Sequence, residues 1–375
     1  MAKLVFGKPK SSPVKLRKCD LTKVTAFSEK QTYDKDGYIY LNVKNQPFAL
    51  GGVLNPNDNY GEYYRLDASK KEIYSDANRG LAECTSGGSV RFATDAAEIS
   101  LRATLRGALV GMMHFANRGV YGFDIYIGTG TNRKYCSAPM QFLTGDPNFH
   151  QDVIQLGAGV KEVQINFPLY GGVKDIEIGF PKKSRVGTPT PRTNGAVAFY
   201  GSSITQGGCV SRPANSYAKI ICRALDADCC NYGFSGSGLG ELAVAEHIAT
   251  RDLACFVMDY DFNAPTLEHL QATHEPFFKL FREKQPNTPV VFVVHPYYGT
   301  PTQEDKARRD LVYTTYQNAI NAGDKNVYFV DSTPFFPPEM NDLYTVDYLH
   351  PNDLGQMYMA RAIFPAVKKA IDSKK

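Results

Sequence analysis

The hydrophobic pattern of this sequence changes its period between residues 182 and 195, so no single type of secondary structure fits both halves. From about residue 38 to 181, apolar and polar residues alternate with period two, as in "EISLRATLRG" and "KEVQINF". Short alternating segments separated by Gly, Asn and Asp are typical of antiparallel strands with one buried face. This half is therefore expected to be an all-β sandwich or jelly roll without a strong helix.

The second half alternates apolar runs with helical stretches. The apolar runs lie at 196–200, 228–232, 254–260, 289–295 and 326–331. Helices are predicted near 215–226, 239–250, 267–284, 303–322 and 353–372. Strand followed by helix, repeated along the chain, indicates a parallel sheet covered on both faces, in an α/β domain.

The segment that joins the two halves is "KKSRVGTPTPRTNG", residues 182–195. Its prolines, glycines and small polar residues are typical of a linker. We therefore predict two domains, 1–181 and 196–375, and the length of 375 residues agrees with that number.

Composition argues against several kinds of partner. The chain is 43% hydrophobic and 21% charged, as in soluble globular proteins, and its formal charge of +4 is too weak for a nucleic-acid arm. No segment is long enough to span a membrane. The start "MAKLVFGKPK" has no apolar leader and the eight cysteines are scattered, so reduced thiols and a cytoplasmic location are expected. The oligomeric state stays open, and a homo-oligomer is compatible with the sequence.

Polar groups follow several strands at one predicted edge of the parallel sheet. "VAFYGSSITQGG" ends the first strand in two adjacent serines, "NYGFSGSG" after the second contains Gly236, and "VMDYDFNAP" after the third contains Asn263. Near the C-terminus, "YTVDYLHPNDLG" places Asp347 three residues before His350, just ahead of the last helix. Ligands bind at the carboxyl ends of the strands in such sheets, so these groups are expected to share one site.

These groups match what acyl transfer through a serine requires. A serine hydroxyl is a poor nucleophile unless a base removes its proton, and the base needs a third group to orient it. Asp347 can hold one imidazole nitrogen of His350 while the other faces a substrate. The N–H of Gly236 and the side-chain amide of Asn263 can stabilise an oxyanion. A serine alone after a strand is more often a helix N-cap, so the combination carries the interpretation.

The second half resembles the SGNH hydrolases, the GDSL-type esterase family. Its four blocks read "GSSIT", "GFSGSG", "DYDFNAP" and "DYLHPND", in that order. The resemblance implies that Ser203 is the nucleophile, His350 the base and Asp347 its support. It also implies that the N–H groups of Ser203 and Gly236 and the amide of Asn263 bind the oxyanion. The implied fold is a three-layer α/β/α, flavodoxin-like domain, and no cofactor is expected.

The sequence departs from the family pattern in two blocks. Ser202 stands where the family has an Asp before the nucleophile. In the third block, Asp261, Phe262, Asn263 and Ala264 replace the usual Gly-x-Asn-Asp, which bears on how the carboxamide is placed. The motif "GSSITQGG", together with "GFDIYIG" in the β-rich half before it, is similar to motifs of the subgroup that has an N-terminal GxDLY sandwich domain.

The expected substrate comes from that subgroup resemblance. Two-domain relatives are typically carbohydrate esterases, which implies removal of O-acetyl groups from acetylated hemicellulose, such as manno- or xylo-oligosaccharides. His295, Tyr297 and Tyr348 are candidate substrate-binding residues. No metal is predicted, because His114 and His150 lack partners at metal-binding spacing in the sequence.

Two other functions stay open at this point. One is an esterase or thioesterase for small non-sugar acyl compounds, and the other is a non-catalytic carbohydrate-binding protein. A dinucleotide site at "GSGLGE" fails on glycine spacing and follows the second strand instead of the first. The Gly-x-Ser-x-Gly elbow of α/β-hydrolases follows none of the strands.

Overall fold

The computed structural model describes residues 20–27, 34–107, 113–139, 148–297, 300–331, 335–336 and 340–374. Residues 1–19, at the start of the predicted first domain, lie outside this set. The described strands of the first half are β1 (Thr22–Lys23), β2 (Tyr38–Asn42), β3 (Ala49–Gly51), β4 (Ser89–Thr94), β5 (Glu98–Leu105), β6 (Asp124–Ile127), β7 (Lys134–Ser137), β8 (Phe149–Gln155), β9 (Lys161–Asn166), β10 (Val173–Pro181) and β11 (Arg185–Gly187).

These strands form two antiparallel sheets that pack face to face. The first has the order β1-β11-β4-β9-β6-β7, with β3 added to β4, and the second has the order β2-β10-β5-β8. Phe92 and Ile165 of the first sheet share one buried cluster with Leu101 and Ile178 of the second. The alternating pattern read from the sequence therefore marks the inward faces of a sandwich, as predicted.

Two short helices interrupt the sandwich half, α1 (Asp76–Leu81) and α2 (Asn117–Tyr121). They have six and five residues, little more than one turn each. The sequence gives them no apolar periodicity, because a single turn contributes only one or two residues to any face. The expectation of no strong helix in this half agrees with their length.

The second half is a parallel sheet between two layers of helices. Its strands are β12 (Ala196–Gly201), β13 (Cys229–Gly233), β14 (Leu253–Asp259), β15 (Val290–Val293) and β16 (Val327–Val330), in the order β13-β12-β14-β15-β16. Its helices are α3 (Ser203–Gln206), α4 (Tyr217–Leu225), α5 (Leu242–Ala249), α6 (Leu267–Lys284), α7 (Gln303–Asn321), α8 (Asn341–Tyr344) and α9 (Asp353–Asp372).

The two faces of this sheet are covered by different helices. Apolar residues of α5, α6 and α7 pack on one face, and those of α4 and α9 pack on the other. In β14, Phe256 faces the first layer and Val257 the second, so the strand reads as a continuous apolar run. This is the three-layer α/β/α arrangement expected from the sequence.

The segment predicted as a linker is more ordered than expected. Its strand β11 pairs with β1 and β4, and Arg192 donates from Nε to Asp228 at 2.9 Å and from Nη1 to Asp226 at 3.1 Å. A three-residue strand is too short to show a period in the sequence. Residues 182–195 are therefore bonded both to the sandwich and to the parallel-sheet half.

Buried ion pairs and hydrogen bonds join the two halves. Arg65, only 1% exposed, donates from Nη1 to the carbonyls of Asn231 at 2.9 Å and Gly233 at 2.7 Å, where β13 ends. Asp124 of the sandwich accepts from Arg212 at 3.1 Å. Buried polar groups need such hydrogen-bond partners, so these contacts fix the halves against each other at the carboxyl edge of the sheet.

The sequence predicts reduced cysteines and no membrane-spanning segment. In the part of the chain that the structure describes, seven cysteines are present and all are free thiols. Among the same residues, no helix combines the length and the hydropathy that crossing a bilayer demands.

Candidate active site

Ser203 lies at a sharp turn between β12 and α3. The turn leaves no space for a side chain at Gly201, where a Cβ would lie 2.1 Å from the carbonyl oxygen of Asp259. Ser202 is the N-cap of α3, and its Oγ accepts from the N–H of Ile204 at 3.1 Å. Ser and Asp are both good N-cap residues, so this departure from the family pattern keeps the cap.

A continuous series of hydrogen bonds links Ser203 to His350 and Asp347. The distance from Ser203 Oγ to His350 Nε2 is 2.9 Å, and that from His350 Nδ1 to Asp347 Oδ2 is 2.7 Å. Asp347 Oδ1 also accepts from the backbone N–H of His350 at 2.7 Å. Partial burial alone would raise the pKa of Asp347, but these hydrogen bonds from His350 outweigh it and lower the pKa. The carboxylate is therefore ionised and oriented towards the imidazole.

One backbone carbonyl organises the groups expected to bind an oxyanion. Phe234 O accepts from the N–H groups of Ser237 at 2.9 Å and Gly238 at 3.0 Å, which closes the turn containing Gly236. The same oxygen accepts from Asn263 Nδ2 at 3.0 Å. The Gly236 turn and the Asn263 carboxamide are thus held together at the carboxyl edge of the sheet.

Gly238 is a site residue that sequence reasoning missed as such. A Cβ there would lie 2.3 Å from Gly201 O and 3.5 Å from Asn263 Nδ2, so only glycine fits between the two turns. The run of small residues in "GFSGSG" is the sequence signal for Gly238 as well as for Gly236.

The sandwich half contributes to this site, which the sequence did not indicate. His114 Nε2 lies 3.4 Å from Asp347 Oδ2, and the rings of His114 and His350 are 5.2 Å apart. Tyr170 donates its hydroxyl to the carbonyl of Ser203 at 3.4 Å. His114 has no partner at metal-binding spacing in the sequence, and its contact with Asp347 joins residues that are distant in the chain, so no local pattern connects them.

His114, Cys209 and His350 form a possible metal-binding group among the described residues, with ligand atoms within 4.8 Å of one another. The donor set is a poor fit for a resident ion. Both nitrogens of His350 are already in contact with Ser203 and Asp347, and burial, helped by Asp347, raises the pKa of Cys209 to about 12. That no metal takes part stays a prediction.

The three candidate substrate-binding residues have different surroundings. His295 is only 2% exposed, and its ring nitrogens face Asp261 and Asp305, so it does not line an open cleft as expected. Tyr297 is also buried and donates its hydroxyl to the Asp305 carbonyl at 3.0 Å. Tyr348 is 71% exposed, on the loop that carries Asp347 and His350. Of the three, Tyr348 is the one that a ligand can reach.

The fold and this edge of the sheet are those of a two-part hydrolase of the SGNH class. Residues 194–368 match the model of the GDSL-like lipase/acylhydrolase family, and residues 38–186 match the model of the N-terminus of SGNH-hydrolase-type esterases, called GxDLY. The chain is therefore similar to the GDSL-like lipase/acylhydrolase family over residues 194–368, and its match to the GxDLY domain lies ahead of that region. It is a carboxylic ester hydrolase.

Solved structures share this two-part fold at low sequence identity. A protein from Bacteroides ovatus described as a GDSL-like lipase is 24% identical, with a TM-score of 0.78 over 89% of this chain and 98% of its own. The salicylyl-acyltransferase SsfX3 from a tetracycline biosynthetic pathway is 17% identical, with a TM-score of 0.73 over 88% and 96%. A family two carbohydrate esterase from Cellvibrio japonicus is 13% identical, with a TM-score of 0.62 over 90% and 99%. No curated protein sequence matches the chain.

Proposed function

We propose that this protein is an acetylesterase that removes O-acetyl groups from carbohydrate through an acyl-enzyme on Ser203. The observation that carries the proposal is the unbroken series of hydrogen bonds from Ser203 Oγ through His350 to Asp347, with lengths of 2.9 and 2.7 Å. A hydroxyl bonded to an oriented imidazole is the arrangement that converts serine into a nucleophile.

The proposed reaction has two steps. His350 Nε2 takes the proton of Ser203 Oγ as that oxygen attacks the acetyl carbonyl, and the charge on the carbonyl oxygen is stabilised by the N–H groups of Ser203 and Gly236 and the amide of Asn263. The C–O bond to the sugar then breaks, and the sugar hydroxyl leaves with the proton from His350. Water, deprotonated by His350, attacks the acetyl-enzyme and releases acetate and Ser203.

Carbohydrate as the alcohol part of the ester has two lines of support. Exposed Tyr348 lies beside the base, where an aromatic face can pack on a sugar ring. Proteins described as family two carbohydrate esterases, and an acetyl xylan esterase from Butyrivibrio proteoclasticus with a TM-score of 0.56, have the same two-part fold. Acetylated manno- or xylo-oligosaccharides are therefore the substrates proposed first.

A second candidate is an esterase for small apolar acyl compounds. It is favoured by exposed apolar side chains beside the site: Met113 precedes His114 in the chain, and Val346 precedes Asp347. Such side chains would suit an apolar substrate better than a sugar. Hydrolysis of a nitrophenyl ester without any release of acetate from glycans would select this candidate.

The test is acetate release from acetylated mannan and xylan oligosaccharides by the native protein, Ser203→Ala and Ser202→Ala. The first variant should be inactive. The second is the matched control, because Ser202 caps α3 through its side chain and should leave catalysis intact. Release that survives in Ser203→Ala would contradict the proposed nucleophile. Glycan binding without release by the native protein would support a non-catalytic binding function instead.

A further inference from the structure

The turn that carries Asn263 departs from the Gly-x-Asn-Asp pattern, so other contacts must hold its carboxamide in place. Residues Asp261–Asn263 form a single 3-10 turn directly after β14, with no side-chain cap. Asn263 Nδ2 reaches Phe234 O at 3.0 Å, so one of its two amide hydrogens is used there. The direction in which the second amide hydrogen of Asn263 points then depends on the position of the turn relative to Phe234.

Arg308 holds both ends of this turn. It lies on α7, is 8% exposed, and donates from Nη1 to the carbonyl of Asp261 at 2.7 Å and to that of Ala264 at 2.9 Å. Its other edge, Nε and Nη2, is fixed on Glu304 Oε1 at 3.0 and 2.7 Å. Because one rigid guanidinium contacts the carbonyls before and after Asn263, it sets the position of that residue's backbone.

A buried ion pair holds the first residue of the turn from another side. The Asp261 carboxylate, 1% exposed, accepts from the backbone N–H of His295 at 3.1 Å and faces its Nδ1 at 2.7 Å. The second ring nitrogen, Nε2, faces Asp305 Oδ1 at 3.2 Å. Carboxylates on both ring nitrogens favour the doubly protonated imidazolium form of His295.

The charge on His295 agrees with its surroundings. Burial opposes it, but Asp261, and after it Asp305, raise the pKa of His295 above its usual value. Removing one partner of a buried pair leaves the other charge uncompensated, so loss of either His295 or Asp261 should disturb the turn. Asp305 in turn is the capping-box residue of α7, the helix that carries Arg308.

We infer that Arg308 and the His295–Asp261 pair are positioning residues for the oxyanion site, which act on the reaction by fixing the turn around Asn263. The inference rests on the proposed function, in which the Asn263 amide stabilises the oxyanion. His295, expected from the sequence to bind substrate, acts through Asp261 instead. The two contacts replace the local pattern that the third block of this chain has lost.

The first test is the kinetics of Arg308→Ala on a soluble acetyl ester. A turn that shifts by about 1 Å should lower kcat by about 10- to 100-fold, while KM stays within about two-fold, because ground-state binding does not use the oxyanion donor. Arg308→Lys, which can still donate to a carbonyl, should recover part of kcat and serves if the Ala variant does not fold.

Arg309→Ala is the matched control on the same helix. The Arg309 side chain pairs with Asp331 at 2.7 Å and with Asp310 at 2.9 Å. These contacts are away from residues 261–264, so kcat should be unchanged. An equal loss of kcat in both variants would show that any damage to α7 lowers activity, and would overturn the positioning role.

A double variant separates positioning from general support of the fold. If Arg308 acts through Asn263, then Arg308→Ala should cost no more than about two-fold in kcat when Asn263 is already Ala. Independent, multiplying losses would overturn the inference. Arg308→Ala with native kcat, alongside a crippled Asn263→Ala, would also overturn it while leaving the proposed function intact. An active Ser203→Ala would instead defeat the proposed function.

Two substitutions of His295 test which contact matters. Asn places an amide N–H near the position of Nδ1, facing Asp261, whereas Gln places one near Nε2, facing Asp305. His295→Asn should therefore retain more kcat than His295→Gln, because the Asp261 contact is the one that touches the turn. The reverse order, with both variants shown to be folded by thermal melting, would remove His295 from the positioning role.

Discussion

The two arms of the proposed site are held in opposite ways. In the proton-transfer arm, Ser203 and His350 are far apart in the chain, but each is supported by local contacts: Ser202 caps the helix that Ser203 begins, and Asp347 binds a residue three positions away. The oxyanion arm at Asn263 depends on Phe234 and Arg308, which come from other elements. Local contacts follow from short sequence blocks, whereas remote ones require the whole fold to be correct.

The largest effect should come from Asp347→Asn, which tests the local arm. An amide cannot stabilise the imidazolium that forms on His350 and favours the wrong ring tautomer, so kcat should fall by about 10⁴-fold, as in other Ser-His-Asp sites. The measurement is steady-state hydrolysis of a soluble ester. Asp353→Asn is the matched control, because this nearby carboxylate binds the N–H of Ser211 at 2.8 Å and not His350.

A loss of less than about ten-fold in Asp347→Asn, far below the loss usual for such sites, would show that another group orients His350. His114, whose ring lies 5.2 Å from that of His350, would then be the first residue to examine. The local arm would in that case depend on the sandwich half as much as the oxyanion arm depends on α7.

The contrast explains how much of the molecule could be predicted from the sequence. Helix α6 was placed at 267–284 and lies at Leu267–Lys284, because its cap at Thr266 and its apolar face are both local signals. The parallel strands β12 to β16 coincide with predicted apolar runs, and β5, β9 and β10 coincide with predicted alternations. Strand β11 was missed because three residues carry no period.

Site residues follow the same division. The positions of Ser203, Asp347 and His350 at one predicted edge of the sheet and the order of the four blocks predict a shared site, and the structure places the three in hydrogen-bond contact. His295 was assigned to the cleft because nothing in its local sequence shows that Asp305, from α7, would reach its ring. The contact between His114 and Asp347 likewise joins residues that are far apart in the chain. Long-range polar partners have no periodicity, so sequence patterns do not find them.

Asp259 joins the two arms, and its substitution should have an effect of intermediate size, on the pH dependence of stability. It ends β14 ahead of the Asn263 turn, and its Oδ2 accepts from Tyr217 at 2.7 Å and from Thr205, in α3, at 3.2 Å. Burial raises the pKa of Asp259 to about 8, which favours the uncharged acid at neutral pH.

The sign of the pH effect on stability follows from this shift. With a pKa of about 8 when folded and one near 3.8 when unfolded, Asp259 binds its proton more tightly in the native state. Its contribution is full below the unfolded pKa and declines as pH rises towards 8. Asp259→Asn, which mimics the neutral acid, should flatten the fall of Tm between pH 5 and 8. An unchanged slope would contradict a protonated Asp259.

The smallest effect should come from Ser202→Ala, which probes how local the first arm is. The variant loses one cap hydrogen bond, to the N–H of Ile204, and should cost about 1 kcal/mol in the free energy of unfolding. Denaturant titration measures that cost, and kcat should change by less than about two-fold because Ser203 Oγ still meets His350. Ser202→Asp, which restores the family residue, should recover the stability. A large loss of kcat in Ser202→Ala without a matching loss of stability would mean that the cap also orients Ser203. Ser203 would then depend on a positioning residue, as Asn263 is proposed to depend on Arg308.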